Sequence, residues 1–355
     1  MKRLVLEKEA IKKNIARIKD KAGSALVYAV LTGDAYGAGL VEMATLLREE
    51  GICRFAVSEP EEAENLRKAG FVEEEILMLR STTDQSELEK LMDLNVICSI
   101  GSYEAGVALN GIAEGRATVV EAHIQVDAGM GFGGFIHSEP DQVLSMYRYL
   151  PNVALSGIYT RIHTAAGGKK GAEQQLAQLR QMLNIIHEAG FETGVVHAAG
   201  SYVLLHGEGV GLDGVRVGSA LLGRARKQPR GVTKVGYGEA GLEEIRWLPK
   251  GHTLGDDKKK VVLKRPTRVA ILPVGYQNGF CVETRKKGGM WSALFRWWKG
   301  RKTYVRVGGQ KARVLGRAGA FETLLDVTEL KCSAGDIAVF EMDPLFARGM
   351  KKEYR

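Results

Sequence analysis

The chain has 355 residues, 45% hydrophobic and 26% charged, with a formal net charge of +8. That length fits a barrel-sized domain of roughly 200–250 residues plus a smaller one. No apolar run reaches the roughly 18 residues of a membrane-spanning helix, and MKRLVLEKEAIKKNIARI is too charged for a signal peptide, so a soluble cytoplasmic protein is expected.

In chain order, short β-rich runs alternate with helical stretches. Strands are predicted at residues 25–32, 54–59, 76–81, 96–100, 119–127, 155–162, 194–200 and 214–220. Between them, AEQQLAQLRQMLNIIHEAGF carries apolar residues at three-to-four spacing and stops on Gly190, and SEPEEAENLRKAG opens with a capping serine and closes on glycine. Eight strand-then-helix repeats argue for an α/β fold, a parallel (β/α)8 TIM-like barrel over residues 1–232. A doubly wound open sheet is the alternative, but no G-x-G-x-x-G follows the first strand. From residue 233 to 355 the texture changes to apolar–polar alternation between glycines, in TRVAILPVGY, TYVRVGG, KARVLGRA and DIAVFEM, as in a C-terminal antiparallel β domain. Cys53, Cys98, Cys281 and Cys332 are far apart, without a C-x-x-C pair or zinc-like histidine spacing, so reduced thiols and no metal site are expected.

Barrel active sites gather at the carboxyl ends of the strands, with phosphates on the last two loops. Those ends carry Thr32, Asp34 and Tyr36; Arg80 and Ser81; Asp127; Arg161 and His163; His197, Gly200 and Ser201; and Arg216, Gly218 and Ser219. The seventh and eighth loops each hold a Gly-Ser pair, with a helix expected to start at once, and amides at such starts suit a phosphate. His197 and Arg216 fall on neighbouring strands and point at the same mouth; a hydrogen-bonded core histidine beside a structural arginine is preferred over a site pair.

AVLTGDAYGAG, HIQVDAGMGFGGF, HAAGSYVLL, GVRVGSALLG and ILPVGYQNGF together resemble, in order, the motifs of the alanine racemase family of fold type III pyridoxal-phosphate enzymes. The resemblance implies that Tyr36, Ser201, Gly218, Ser219 and Tyr354 hold a cofactor phosphate, that Arg216 faces the pyridine nitrogen, and that His197 orients Arg216. It implies that Tyr276 is an acid/base delivered across a homodimer interface. The family's Schiff-base lysine is Thr32 here, and a threonine hydroxyl neither forms an imine nor titrates near neutrality. Phe132, Arg161, Gly200, Ala320, Phe321 and Leu222 replace further family residues: an arginine, a histidine, an asparagine, a Met-Asp pair and a tyrosine.

These replacements imply a degenerate homologue that keeps non-covalent affinity for pyridoxal phosphate, another phosphate ligand or an amino acid. The alternative is an active amino-acid racemase, or another enzyme of D-amino-acid metabolism, using Tyr276 with a recruited Lys169, Lys170, Arg161 or His163.

Residues 283–303 form an insertion rich in tryptophan and basic residues. Its stretch from 285 to 302 has seven basic residues and no acidic one, leaving about +1 on the rest of the chain. Trp291, Phe295, Trp297 and Trp298, flanked by Arg285, Lys286, Lys287, Lys299, Arg301 and Lys302, suggest a membrane-surface or protein contact, against a hairpin packed on its own domain. No basic track elsewhere suggests nucleic acid.

Overall fold

The computed structural model describes residues 1–162, 168–206, 212–224, 231–255, 261–282 and 303–355. The chain divides into two compact units, one of Glu9–Lys234 and one of Met1–Lys8 with Val235–Arg355.

The first unit is a nearly closed parallel barrel. Its eight strands are Leu26–Val30, Arg54–Val57, Glu75–Met78, Cys98–Ile100, Val120–Asp127, Val153–Thr160, Val195–Ala199 and Gly214–Val217. They are hydrogen-bonded in the order third, second, first, eighth, seventh, sixth, fifth, fourth. A parallel bridge between Leu77 and Ile97 joins the third strand to the start of the fourth, which excludes the doubly wound open sheet. Short strands such as LVYAV and RFAV are apolar on both faces because helices cover the outside and other strands face the inside.

Seven described helices follow the first seven strands. Helix Gly168–Glu188 turns Leu179, Met182 and Ile186 inward, at the predicted spacing, and the chain leaves it through Gly190 at φ 85°. Helix Pro60–Lys68 has proline in its first turn, acidic residues at its start and basic ones at its end, which suits the helix dipole. Its N-cap is Glu59, not the expected Ser58, because the proline fixes the first helical position. Residues 218–223 after the eighth strand run as successive turns, not as the expected helix, with the Leu221 and Gly223 amides reaching back to Gly218 and Ala220.

The second unit is a nine-stranded sheet. In order it runs Ile245–Leu248, Thr267–Leu272, Thr323–Asp326, Gln310–Val314, Tyr304–Val307, Ile337–Glu341, Tyr237–Gly241, Lys2–Leu6 and Lys351–Tyr354. All neighbours are antiparallel except the last pair. Leu248, Leu254, Leu263, Val269 and Leu315 form one of its core clusters. Lys2–Leu6, placed with the barrel by the sequence reading, belongs to this sheet. Eight strands already nearly close the barrel, so the apolar Leu4, Val5 and Leu6 are buried in the open sheet instead.

Among the described residues no helix is long and apolar enough to cross a membrane, and no cluster of His, Cys, Asp or Glu is arranged to hold a metal. Trp291, Phe295, Trp297, Trp298 and their basic neighbours Arg285, Lys286, Lys287, Lys299, Arg301 and Lys302 lie outside the described residues, as does His163.

Candidate functional site

The first barrel strand ends in a backbone conformation that a glycine-flexed loop does not require. Gly33, Asp34, Ala35 and Tyr36 have φ of 64°, 58°, 54° and 57°, so four successive residues form one turn of left-handed helix. For L-residues this costs roughly 1–2 kcal/mol each, and runs of it are rare. The Ala35 and Gly37 amides donate to the carbonyls of Leu31 and Gly33, at 2.7 and 2.9 Å, and Asp34 Oδ1 accepts from the Leu40 amide at 2.8 Å, capping the next helix. The turn swings Tyr36 back over the eighth-strand end. A Cβ on Gly218 would collide with the Tyr36 ring, so only glycine permits that approach. Burial pushes the Tyr36 phenol above its usual pKa, opposed by the Arg161 charge and a hydrogen bond from Thr32.

Beside Tyr36, Ser201 opens the short helix Ser201–His206. Its Oγ accepts from the amides of Gly218 and Ala220, each at 3.2 Å. Both lone pairs are thereby used, and the hydroxyl proton is left to donate to another acceptor.

Inside the barrel the centre is aromatic and imidazole rather than the branched aliphatic layers usual in such cores. The His197 ring stacks on Tyr28 on one side and Tyr159 on the other, with centroids 4.9 and 5.0 Å away. Arg216 Nη1 donates to His197 Nδ1 at 2.7 Å and to the His197 carbonyl at 3.0 Å, and its Nη2 donates to the Thr160 carbonyl at 2.7 Å. An arginine donates only, so His197 Nδ1 accepts and its Nε2 carries the hydrogen, which goes to His123 Nδ1 at 2.9 Å. The chain of donors therefore has one direction, from Arg216 through His197 to His123. Burial and the Arg216 charge hold His123 down at about 4 and His197 well below its usual value, so both are neutral. Burial lowers Arg216 to about 10, where it is still charged, and its guanidinium lies 4.5 Å over the Tyr159 ring. The Tyr159 hydroxyl is 2.8 Å from Ser99 Oγ and donates to Gln125 Oε1 at 3.4 Å.

Above this layer lies a cavity of about 390 Å³. It brings together Thr32, Tyr36, Ser201, Arg216, Gly218 and Ser219, with Phe132, Arg161 and Gly200 also on its wall. His197 lies beneath it, fully buried. Asp127 is on the wall too, but its carboxylate accepts from the amides of Gly129, Met130 and Gly131 at 2.7–2.8 Å. Arg161 is exposed there, and its charge acts on Tyr36, Tyr159 and Arg216. No lysine is among the described residues that line it.

Other sequence-predicted residues do not join this wall. Arg80 is taken by Glu87, at 2.9 Å to both oxygens, and by Glu59, while Ser81 receives the Gly101 amide. Lys170 is exposed on the first turn of helix Gly168–Glu188, where Lys169 also falls. Tyr276 and Tyr354 belong to the other unit. Tyr276 opens a short 3-10 turn beside Gly319 and Ala320, half exposed, and Tyr354 ends the strand paired with Lys2–Leu6. Phe321 is exposed and Leu222 buried.

The sequence reading missed Tyr28, His123, Gln125 and Tyr159. A signal for two of them was present: Glu121, His123, Gln125 and Asp127 put polar residues at every second position of one strand, which marks a polar face.

Family models for the N-terminal and C-terminal domains of alanine racemase match residues 6–226 and 238–345. The chain belongs to the alanine racemase family. It is 28% identical over 318 residues to the alanine racemase of Methylacidiphilum infernorum, covering 88% of this chain and 76% of that one. It is 29% identical over 328 residues to the broad specificity amino-acid racemase of Vibrio vulnificus, covering 90% and 75%. In fold it is similar to the alanine racemase of a D-cycloserine-producing Streptomyces lavendulae, with TM-score 0.85 and 20% identity over 100% of this chain and 97% of that one. It is also similar to the alanine racemase of Bartonella henselae with covalently bound pyridoxal phosphate, with TM-score 0.82 and 20% identity over 100% and 99%.

In this family member the cavity fits one part of such a cofactor and not another. The Ser201 hydroxyl, the Tyr36 phenol and the glycine-permitted approach at Gly218 suit a phosphate, and His197 Nδ1, accepting from Arg216 Nη1, fixes the guanidinium at the cavity floor. The covalent anchor is not matched, since the strand end carries Thr32.

Proposed function

We propose that this racemase-family protein binds pyridoxal phosphate, or another phosphate-bearing ring, without covalent attachment, and that it does not racemise alanine by a lysine route. The observation that carries this reading is the cavity wall, which combines the side-chain hydroxyls of Tyr36, Ser201 and Ser219 with a threonine at the first-strand end and, among the described residues, no lysine. Tyr36, Ser201 and Ser219 would hold the phosphate, at the close approach that Gly218 permits. Arg216 would offer a donor to the ring nitrogen, and because a guanidinium keeps its proton, it would leave that nitrogen unprotonated. His197 fixes Arg216. Bound pyridoxal phosphate supplies an electron sink at an amino-acid α-carbon; Thr32 and Phe132 offer that carbon neither a base nor a positive charge. By the family resemblance, Tyr276 would be the acid/base, delivered across a homodimer interface.

The test is calorimetric titration with pyridoxal phosphate, followed by borohydride reduction and mass analysis. Saturable binding without an adduct is expected; a reduced adduct on one lysine of the barrel overturns the non-covalent reading, and no binding overturns the cofactor reading. Thr32→Lys should give the reducible adduct yet no racemisation of alanine above background, since Phe132, Arg161 and Gly200 still stand where the family resemblance implies an arginine, a histidine and an asparagine, and the positioning of the reactants is lost with them. Gly218→Ala, which drives the Tyr36 ring off the cradle, should weaken pyridoxal phosphate affinity about tenfold, the scale of one lost charge-assisted hydrogen bond. Calorimetry on the variant checks this.

A further inference from the structure

The left-handed turn that carries Thr32 and places Tyr36 is itself held by one side chain from the helix after the next barrel strand. The first amides of any helical turn lack partners within it, and here those of Gly33 and Asp34 both donate to Glu62 Oε1, at 2.6 and 3.4 Å. The other oxygen, Glu62 Oε2, accepts from the amides of Ser58 and Glu59, at 3.0 and 3.3 Å. Glu62 is the third residue of helix Pro60–Lys68, so this second set is the return half of a capping box on its own helix. One carboxylate therefore caps two chain segments at once: a right-handed helix after the second barrel strand and a left-handed turn after the first. Ser58 lines the cavity together with Thr32 and Tyr36, so both capped segments contribute to its wall.

We propose that Glu62 is a positioning residue of the site, holding the Thr32–Tyr36 turn in its left-handed form and so fixing Tyr36 against Gly218 for an anionic ligand. Asp34, Ala35 and Tyr36 have no intrinsic preference for that conformation. One carboxyl oxygen is the acceptor that satisfies the turn's leading amides while the other is anchored by a helix start. Glutamine does not replace it, because the amide nitrogen on one side would face backbone N–H donors. Aspartate is one methylene too short to reach both segments.

The ligand half of this inference rests on the phosphate reading above, and the test separates the two. Glu62→Ala and Glu62→Gln are compared with the parent by calorimetry, using pyridoxal phosphate and pyridoxal as a probe pair, and by amide hydrogen exchange over residues 31–40. The expected result is about tenfold weaker binding of pyridoxal phosphate, the scale of a lost cap, with pyridoxal changed less than about twofold. Exchange should quicken across Gly33–Tyr36 and remain parental in the distant barrel strands. Equal losses for both probes, or parental affinity for pyridoxal phosphate, overturn the positioning role. If the parent binds neither probe, the phosphate reading falls and the exchange result alone judges Glu62: unchanged protection at Gly33–Tyr36 in both variants overturns it.

Discussion

Replacing Arg216 with leucine should destabilise the barrel unit by about 3 kcal/mol, the summed cost of buried acceptors left without a donor. Three acceptors lose their partner: His197 Nδ1, the His197 carbonyl and the Thr160 carbonyl. The size is held down because the variant also escapes the cost of burying a guanidinium. For a unit of this size the midpoint of thermal unfolding should drop by about 6–12 °C, which calorimetry reads directly. The same variant should release the two imidazoles. Arg216 is a depressing influence on both His123 and His197, so imidazole resonances followed by NMR should titrate closer to their ordinary value. If they stay where they are, burial alone sets them and the directed donor chain has no electrostatic role.

The second large effect is acid lability. Above pH 6.5, the ordinary histidine value, the imidazoles are neutral in both the folded and the unfolded chain. Below it the unfolded chain takes up protons, while folded His123 does not until about pH 4. The depressed folded value therefore gives stability that is complete above 6.5 and is lost as the pH falls toward 4. His123 alone should remove about 3 kcal/mol over that window, and His197, pushed down in the same direction, adds to the loss. Urea unfolding at a series of pH values should show this decline. His123→Gln, whose side-chain oxygen can still accept from His197 Nε2, should flatten it. A stability curve with no extra slope between about pH 6.5 and 4 would sink the neutral-pair assignment.

Much of the architecture was legible because it is written in short-range patterns. Each of the eight predicted barrel strands has a counterpart, since buried parallel strands are brief apolar runs closed by turns, and the alternation after residue 233 does correspond to an antiparallel sheet. Thr32, Tyr36, Ser201, Arg216, Gly218 and Ser219 could be gathered in advance because a barrel sends all its strand ends to one rim. The N-terminal strand was misplaced for a complementary reason. Nothing in KRLVL says which sheet has a free edge.

The sequence by itself determined the two-part architecture and the residues at the barrel rim, including the absence of a lysine at the first strand end. These depend on side-chain period and chain order, which are local properties. Only the tertiary structure decided what those residues meet. The sandwiching of His197 between Tyr28 and Tyr159, its bond to His123 seventy-four positions away, and the grip of Glu62 on the turn before it all require strand registers and loop distances set by barrel closure. The left-handed turn belongs to the same class. Its glycines permit it, but Asp34, Ala35 and Tyr36 enter that conformation only because contacts with Leu40, Glu62 and Gly218 offset a strain no isolated peptide would accept.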